Sequence, residues 1–581
     1  MIHSARHLRP LLLAAAIAVP AAGAAAQSAD PRVGLKAGWL DAGQASRHMT
    51  LVGHADRPAG FVDPANPGDF SLINSDLAFS GNYVFQGGYH GFQVWDVSNP
   101  AQPTLRTSFV CPGGQGDLSI LGNLLFMSVE ENSGRVDCGT QGVKDTVSAE
   151  RFRGVRIFDI SDLDHPKQVA AVQTCRGSHT HTLVPDPKDK THIYVYVSGT
   201  GPVRSPNELA GCSLGGEDDP NSSLFRIEVI HVLLDHPEQA KVIATPRIFA
   251  DSGRIAGLWK GGMHGEGTQN TAQTNMCHDI TVYSAYGLAA GACSGNGLLL
   301  DISKPGDPRR VAEVMDPNFA YWHSATFNND ASKILYTDEW GGGVAPRCRS
   351  TDRATWGADA IFTRSGRKLT LAGYYKLPAW QTATENCVAH NGNLVPVPGR
   401  DIMVQAWYQG GVSVVDFTDP AHPVEIAFFD RGPVDSAKAV LAGQWSTYWH
   451  NGRIYGSEIA RGLDVLELVP SDLLSENELA AAKLVHFDQF NPQSQQKITW
   501  PATVVVARAY LDQLARGKGL AESRVSAARA ALDAAEKLGT SGRRSALTKL
   551  AASLERDARS AKDAAKVRAL ATTVRGIAKG G

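Results

Sequence analysis

One phrase recurs along the chain, and it constrains the fold more than any other feature. It reads GFQVWDVSNPAQP at Gly91–Pro103, GVRIFDISDLDHP at Gly154–Pro166, GLLLDISKPGDP at Gly297–Pro308 and GVSVVDFTDPAHP at Gly411–Pro423. Weaker copies are LFRIEVIHVLLDHP (Leu224–Pro237) and GLDVLELVPSD (Gly462–Asp472). Each is an apolar strand, then usually Asp, an apolar residue and Ser or Thr, whose short side chains bond nearby backbone, followed by a proline turn. Ahead of the phrase stands a two-strand hairpin, as in DLAFSGNYVFQGG (Asp76–Gly88) or DITVYSAYGLAAGA (Asp279–Ala292). Four short strands recurring roughly every 40–60 residues predict the blades of a β-propeller, an all-β ring.

First strands fall near Asp76, Asp117, His181, His278, His323, His390 and Trp445, which predicts a seven-bladed β-propeller with six or eight blades left open. The fifth unit, AIFTRSGRKLTLAGYY, lacks the Asp and the proline turn. The seventh lacks a fourth strand, which HMTLVGHA (His48–Ala55) can supply, closing the ring and removing its open edges.

The ends of the chain read differently. Arg6, His7 and Arg9 precede the apolar run Leu11–Pro20 and the small residues Ala24–Ala26, which predicts a secretory signal peptide over 1–26 and a periplasmic or secreted protein. A lead-in at 27–48, the propeller at 49–485 and a polar linker at 486–501 follow. Residues 502–581 carry apolar positions at helical spacing and predict a small all-α C-terminal bundle of three or four helices, with stops at Gly517, Gly539 and Gly576. From Trp500 onward the net charge is +9 against −2 for the whole chain, so an acidic body carries a basic tail. That tail fits an anionic envelope polymer, or is simply the solvated face of Lys/Arg-rich helices. No second apolar run predicts a transmembrane span, and no specific nucleic-acid motif is present.

With the repeats laid out, the chain resembles the LVIVD-repeat family of exported β-propellers. SDLAFSGNYVF and HDITVYSAYGL match the first half of that repeat, and VWDVSNP and LLDISKP the second, over roughly Met49–Val469. The resemblance implies the propeller fold and no single reaction. A more distant resemblance, to the selenium-binding protein/methanethiol oxidase propellers, rests on channel histidines and carries no activity over. The tail is similar to small helical modules attached to secreted bacterial surface proteins.

Chemistry is expected at one end of the channel. Aligning the first strands on their opening residue puts Ser75, Gly116, His181, His278, His323, His390 and Ser446 in register. Four imidazoles converging there suppress one another's protonation and leave nitrogens in need of partners. A transition metal would satisfy them, and copper, iron and zinc all accept imidazole. The competing reading is structural, each His bonding the backbone of a neighbouring blade. His179 and His450 share that side by period-two alternation. Glu130, Glu339 and Glu458 sit at second-to-third-strand turns, and His264 lies in the glycine-rich insertion Gly261–Asn275; all are further ligand or acid–base candidates. Asp76, Asp117 and Asp279, one position on, are expected to turn away from the axis and bond backbone.

All eight cysteines lie between Cys111 and Cys387, in loops at that same end. In an oxidising compartment they predict disulfides, paired sequentially: Cys111–Cys138, Cys175–Cys212, Cys277–Cys293 and Cys348–Cys387. No G-x-S-x-G, H-E-x-x-H, Walker A or C-x-x-C-H motif occurs. The expectation is a metal-dependent exported enzyme, an oxidase or a hydrolase acting on an unknown ligand at the channel mouth. The alternative is a non-catalytic periplasmic or cell-surface binding scaffold.

Overall fold

The repeated phrase does locally what its residues dictate. In the computed structural model, which describes residues 30–250 and 258–580, Asp96, Asp159, Asp301 and Asp416 each accept the backbone N–H two residues on, at 2.8–2.9 Å. The expected signal peptide at 1–26 lies outside the described residues. Beyond each proline turn the outer strand pairs back with a register shift, so each of the four strong copies of the phrase ends one blade's third strand and starts its fourth.

These units form a seven-bladed β-propeller, each blade a four-stranded antiparallel meander. The inner strands are Asn74–Ser80, Leu118–Leu121, His181–Pro185, Ile280–Tyr283, Trp322–Phe327, Gly392–Val395 and Gln444–His450. Each touches the next around the ring, and the seventh touches the first. Apolar side chains fill the space between blades; Tyr283, Leu299, Trp322, Phe327, Tyr336 and Phe362 form one such layer between the fourth and fifth.

Met49–Asp56 pairs with Gly462–Leu468 as the outer strand of the seventh blade, and Gln44–Arg47 adds a fifth strand to the sixth. The closing strand is pinned by His54, whose Nδ1 lies 2.7 Å from Asp464 Oδ1, with Arg431 Nη2 on the same carboxylate at 2.8 Å. Burial opposes protonation of His54, but Asp464 outweighs it and holds the imidazole pKa above its ordinary value. Stabilisation from this pair is therefore fully present below about pH 6.5 and is lost as pH rises through the raised value. His54→Gln should flatten that part of the melting-temperature profile between about pH 6 and pH 9, read by differential scanning calorimetry.

The segment expected as a polar linker is bound along its length. Gln489–Phe490 pairs with the first blade's inner strand. Three side-chain amides then each pair with both the N–H and the C=O of one residue: Gln489 with Gly122, Asn491 with Ile120 and Gln495 with Phe327, at 2.8–3.1 Å. Backbone at Gln493 and Gln495 bonds Val282, and Trp500 Nε1 reaches Pro396 O. Asn451 and Asn329 return the same two-bond grip on Phe487 and Ile498. This strap, rich in Gln and Asn because a side-chain amide mimics a strand edge, binds six blades at their inner strands or the turns that leave them. It crosses the end of the channel opposite the cysteine loops.

Helix α1 (Glu476–Ala482) opens with a capping box formed by Ser475 and Glu478. After the strap come α2 (Val504–Arg516), α3 (Glu522–Glu536), α4 (Thr540–Asp557) and α5 (Ala564–Lys579), packed on a core that includes Leu511, Leu532, Leu554 and Leu570. Gly517 caps α2 as expected, but Gly576 lies inside α5 and does not stop it. A side chain there would meet Ala502 at 2.6 Å, so this glycine serves close packing. Arg400 and Arg516 both bond Glu478, and Gln513 Nε2 reaches Pro398 O, fixing the bundle against the sixth blade.

Candidate metal centre

At the channel end away from the strap, loops leading into first strands meet loops joining second and third strands. Four disulfides tie them, Cys111–Cys138, Cys175–Cys212, Cys277–Cys293 and Cys348–Cys387, in the sequential pairing expected. Cys348–Cys387 spans 39 residues, and replacing both by Ser should lower stability by about 4 kcal/mol through the unfolded chain's regained entropy, measured by urea denaturation.

Inner strands of the fourth and sixth blades begin with a β-bulge that decides which side chains face the axis. His278 N donates to Ala292 O at 2.8 Å and Ala292 N to Asp279 O at 2.9 Å, so two residues oppose one. His390 and Asn391 stand in the same relation to Ala406. Two neighbours on the bulged strand thereby face inward together, and the expectation that the aspartates turn away fails. Asp279 Oδ1 lies 3.0 Å from His278 Nδ1, and Asp76 accepts from Gln493 Nε2 of the strap at 3.1 Å. Burial, then the charges of Asp76 and Asp279, push the Asp117 carboxyl well above the carboxylate range. Burial lifts Asp279 to about 6 against the charges of His390 and His179. The three acids thus occupy the channel between the histidines and the strap.

Four imidazoles form a row. His179 and His278 have ring centroids 4.3 Å apart, His278 and His323 3.8 Å, and His323 and His390 4.2 Å. Each end of the row has a carboxylate. Glu130 holds His179 Nδ1 at 2.7 Å, and Glu339 lies 3.8 Å from His323 Nε2 and 3.5 Å from His390 Nε2. Neither of those Nε2 atoms has a hydrogen-bond partner, although both are fully buried. His390 Nδ1 is engaged by Trp445 O, which leaves its Nε2 lone pair turned inward. Burial depresses the His323 pKa far below its usual value, and His278, His390 and His179 add to the effect. Burial would raise Glu339, but His390 and His278 hold it below the usual range. Tyr408 donates its hydroxyl to Glu339 from a left-handed backbone position, with its ring over Gly343, where any Cβ would overlap it at 2.2 Å.

Ligand atoms of His278, Asp279 and His323 lie within 4.8 Å of one another, as do those of His323, Glu339 and His390, so either group could hold a metal. His278, His323 and His390 of the expected histidine set come together. His181 stands apart: its Nδ1 bonds Ser128 Oγ at 2.8 Å, and burial alone lowers its pKa to about 3. His179 occupies the place expected of it. Of the remaining candidates, Glu130 and Glu339 join the cluster. Glu458 instead caps the backbone at Gly443 and Ala460 and pairs with Arg461. His450 stacks between Phe79 and the strap's Phe490, and His264 stacks on Trp259, just ahead of its insertion. Side chains of His179 and Glu130 are 17 % exposed, while the other cluster members are nearly sealed, so the chamber opens on the Glu130 side.

Fold and site together define a seven-bladed propeller with a buried histidine–carboxylate chamber at one channel mouth. The family model of the LVIVD repeat matches residues 73–110, in the first blade. No curated protein matches the chain in sequence. Among solved structures it is similar to a Lactobacillus plantarum protein, at 12 % identity and a TM-score of 0.37 over 61 % of this chain and 82 % of that one. It is also similar to a periplasmic gluconolactonase from Pseudomonas aeruginosa, at 11 % identity and a TM-score of 0.39 over 68 % of this chain and 96 % of that one.

Proposed function

We propose that the chain is an exported metal-dependent hydrolase whose ion is held by His323, His390 and Glu339. The observation that carries this reading is the pair of buried, unpartnered Nε2 atoms of His323 and His390, both facing Glu339. Leaving such nitrogens without a partner is costly, and a borderline metal ion is the partner that suits two imidazoles and a carboxylate. An ion bound there polarises a carbonyl or phosphoryl oxygen and brings a bound water near neutral pKa. Trp445 O and Tyr408 fix His390 and Glu339 in the orientations that binding needs. Substrate enters beside His179 and Glu130, because the strap crosses the other end of the channel. Four disulfides favour an oxidising compartment. Among the described residues no helix is long and apolar enough to cross a membrane. The helical module, with its net +9, is the surface that would meet an anionic envelope polymer.

Tag-free protein should carry at least one transition-metal ion per chain by mass spectrometry. It should also hydrolyse members of a chromogenic ester and phosphoester panel, lose that activity to a chelator and regain it with metal. Metal-free wild-type protein would sink the reading; metal with oxidation but no hydrolysis would change its reaction class.

A further inference from the structure

The His179–His278 contact is not used by a centre built on Glu339. Their Nε2 atoms stand 2.7 Å apart, tip to tip. Behind each ring a carboxylate engages the other nitrogen: Glu130 at His179 Nδ1, 2.7 Å, and Asp279 Oδ1 at His278 Nδ1, 3.0 Å. A carboxylate behind Nδ1 fixes the proton on that nitrogen and turns the lone pair out at Nε2, the arrangement that orients metal-ligating histidines. Two lone pairs held tip to tip repel, so this spot calls for a proton or a cation.

Two further observations favour a cation. One histidine nitrogen cannot serve both three-residue groups within the row, His278–Asp279–His323 and His323–Glu339–His390, although both meet at His323. With His323 Nε2 committed to the Glu339 side, His179 is the imidazole that completes the His278 side. The row is also symmetric in composition, two imidazoles and a carboxylate towards each end. Three carboxylates, those of Glu130, Asp279 and Glu339, surround it, more negative charge than a single divalent ion balances.

We infer that the chamber holds two transition-metal ions, the second bound by the Nε2 atoms of His179 and His278 once they part from hydrogen-bond distance to admit it, with Glu130 and Asp279 orienting its ligands. This rests on the metal reading above and deepens it. A pair of ions about 3.5–4 Å apart can clamp both the attacking and the leaving oxygen of a displacement, which suits a phosphoester or similarly charged substrate.

The test is stoichiometry. Full-length tag-free protein is stripped with a chelator, reloaded with Cu(II) and desalted, and its metal content and electron paramagnetic resonance spectrum are recorded. Two equivalents with a spin-coupled, attenuated signal are expected. His179→Ala and His390→Ala should each retain one equivalent and give an uncoupled mononuclear spectrum. Glu130→Gln, which keeps a hydrogen-bond acceptor at His179 without the charge, should weaken the second equivalent about 10–100-fold and leave the first unchanged. Near-ultraviolet circular dichroism confirms that each variant is folded. One equivalent in the wild type, unaffected by His179→Ala, would show that a proton joins the two nitrogens and would overturn the two-ion inference while leaving the metal centre standing. One equivalent lost with His179→Ala would overturn it too, and would move the single ion. No bound metal in the wild type would overturn both readings.

Discussion

Phe490→Ala should lower folding stability by about 3–5 kcal/mol, the range for removing a buried aromatic ring. Phe490 is 6 % exposed and packs against Phe79, His450 and Phe487, so its loss opens a cavity where the strap enters the channel. Gln495→Ala should lower stability by about 1–3 kcal/mol by a different route, stranding the N–H and C=O of Phe327 that its amide satisfies. Urea unfolding followed by tryptophan fluorescence measures both. A segment that merely tethered the helical bundle would tolerate either change within about 0.5 kcal/mol, as exposed positions do. The strap also predicts coupling: because it binds six blades, both variants should unfold the ring in one transition at lower urea rather than release the bundle first.

The blades were legible because their phrase repeats and because Asp, Ser and Pro act locally. Ring closure by the N-terminal strand followed from the missing fourth strand of the seventh unit. The strap was not legible. Its residues, FNPQSQQ, are polar and turn-like, and nothing local distinguishes an amide that will grip a distant backbone from one that faces water. At the site, register alignment found three of the four histidines in the row. Period-two alternation fails at the fourth blade's opening β-bulge, which brings Asp279 to the same side as His278; and in the third blade it is His179, rather than His181, that meets His278. A bulge inserts one residue and reverses every orientation after it, and side-chain type alone does not announce one. Glu339 and Tyr408 come from separate blades, and only the folded ring puts the hydroxyl on the carboxylate.

That difference between His179 and His181 gives the sharpest expected result at the centre. His323→Ala should weaken metal binding by at least roughly 100-fold, since it removes a ligand itself and even outer-shell changes cost 10–100-fold. His181→Ala should leave the affinity within about threefold, because the ring shares no contact with the row. Its Nδ1 serves Ser128 Oγ and lies 3.4 Å from Asp117 Oδ2. Its Nε2 also lacks a partner, but among the described residues the ring belongs to no group of three ligand residues that could hold an ion. The cost of His181→Ala should instead fall on folding, about 1–3 kcal/mol, through the lost buried bond to Ser128, which keeps only Ser178 as a partner. Competition with a chromogenic chelator reads the affinities, and thermal unfolding reads the stability. The two variants therefore separate on two axes: His323→Ala loses metal, and His181→Ala loses stability. Equal loss of metal from both would return the ion to the in-register histidines and require the bulged inner strands to open differently around it.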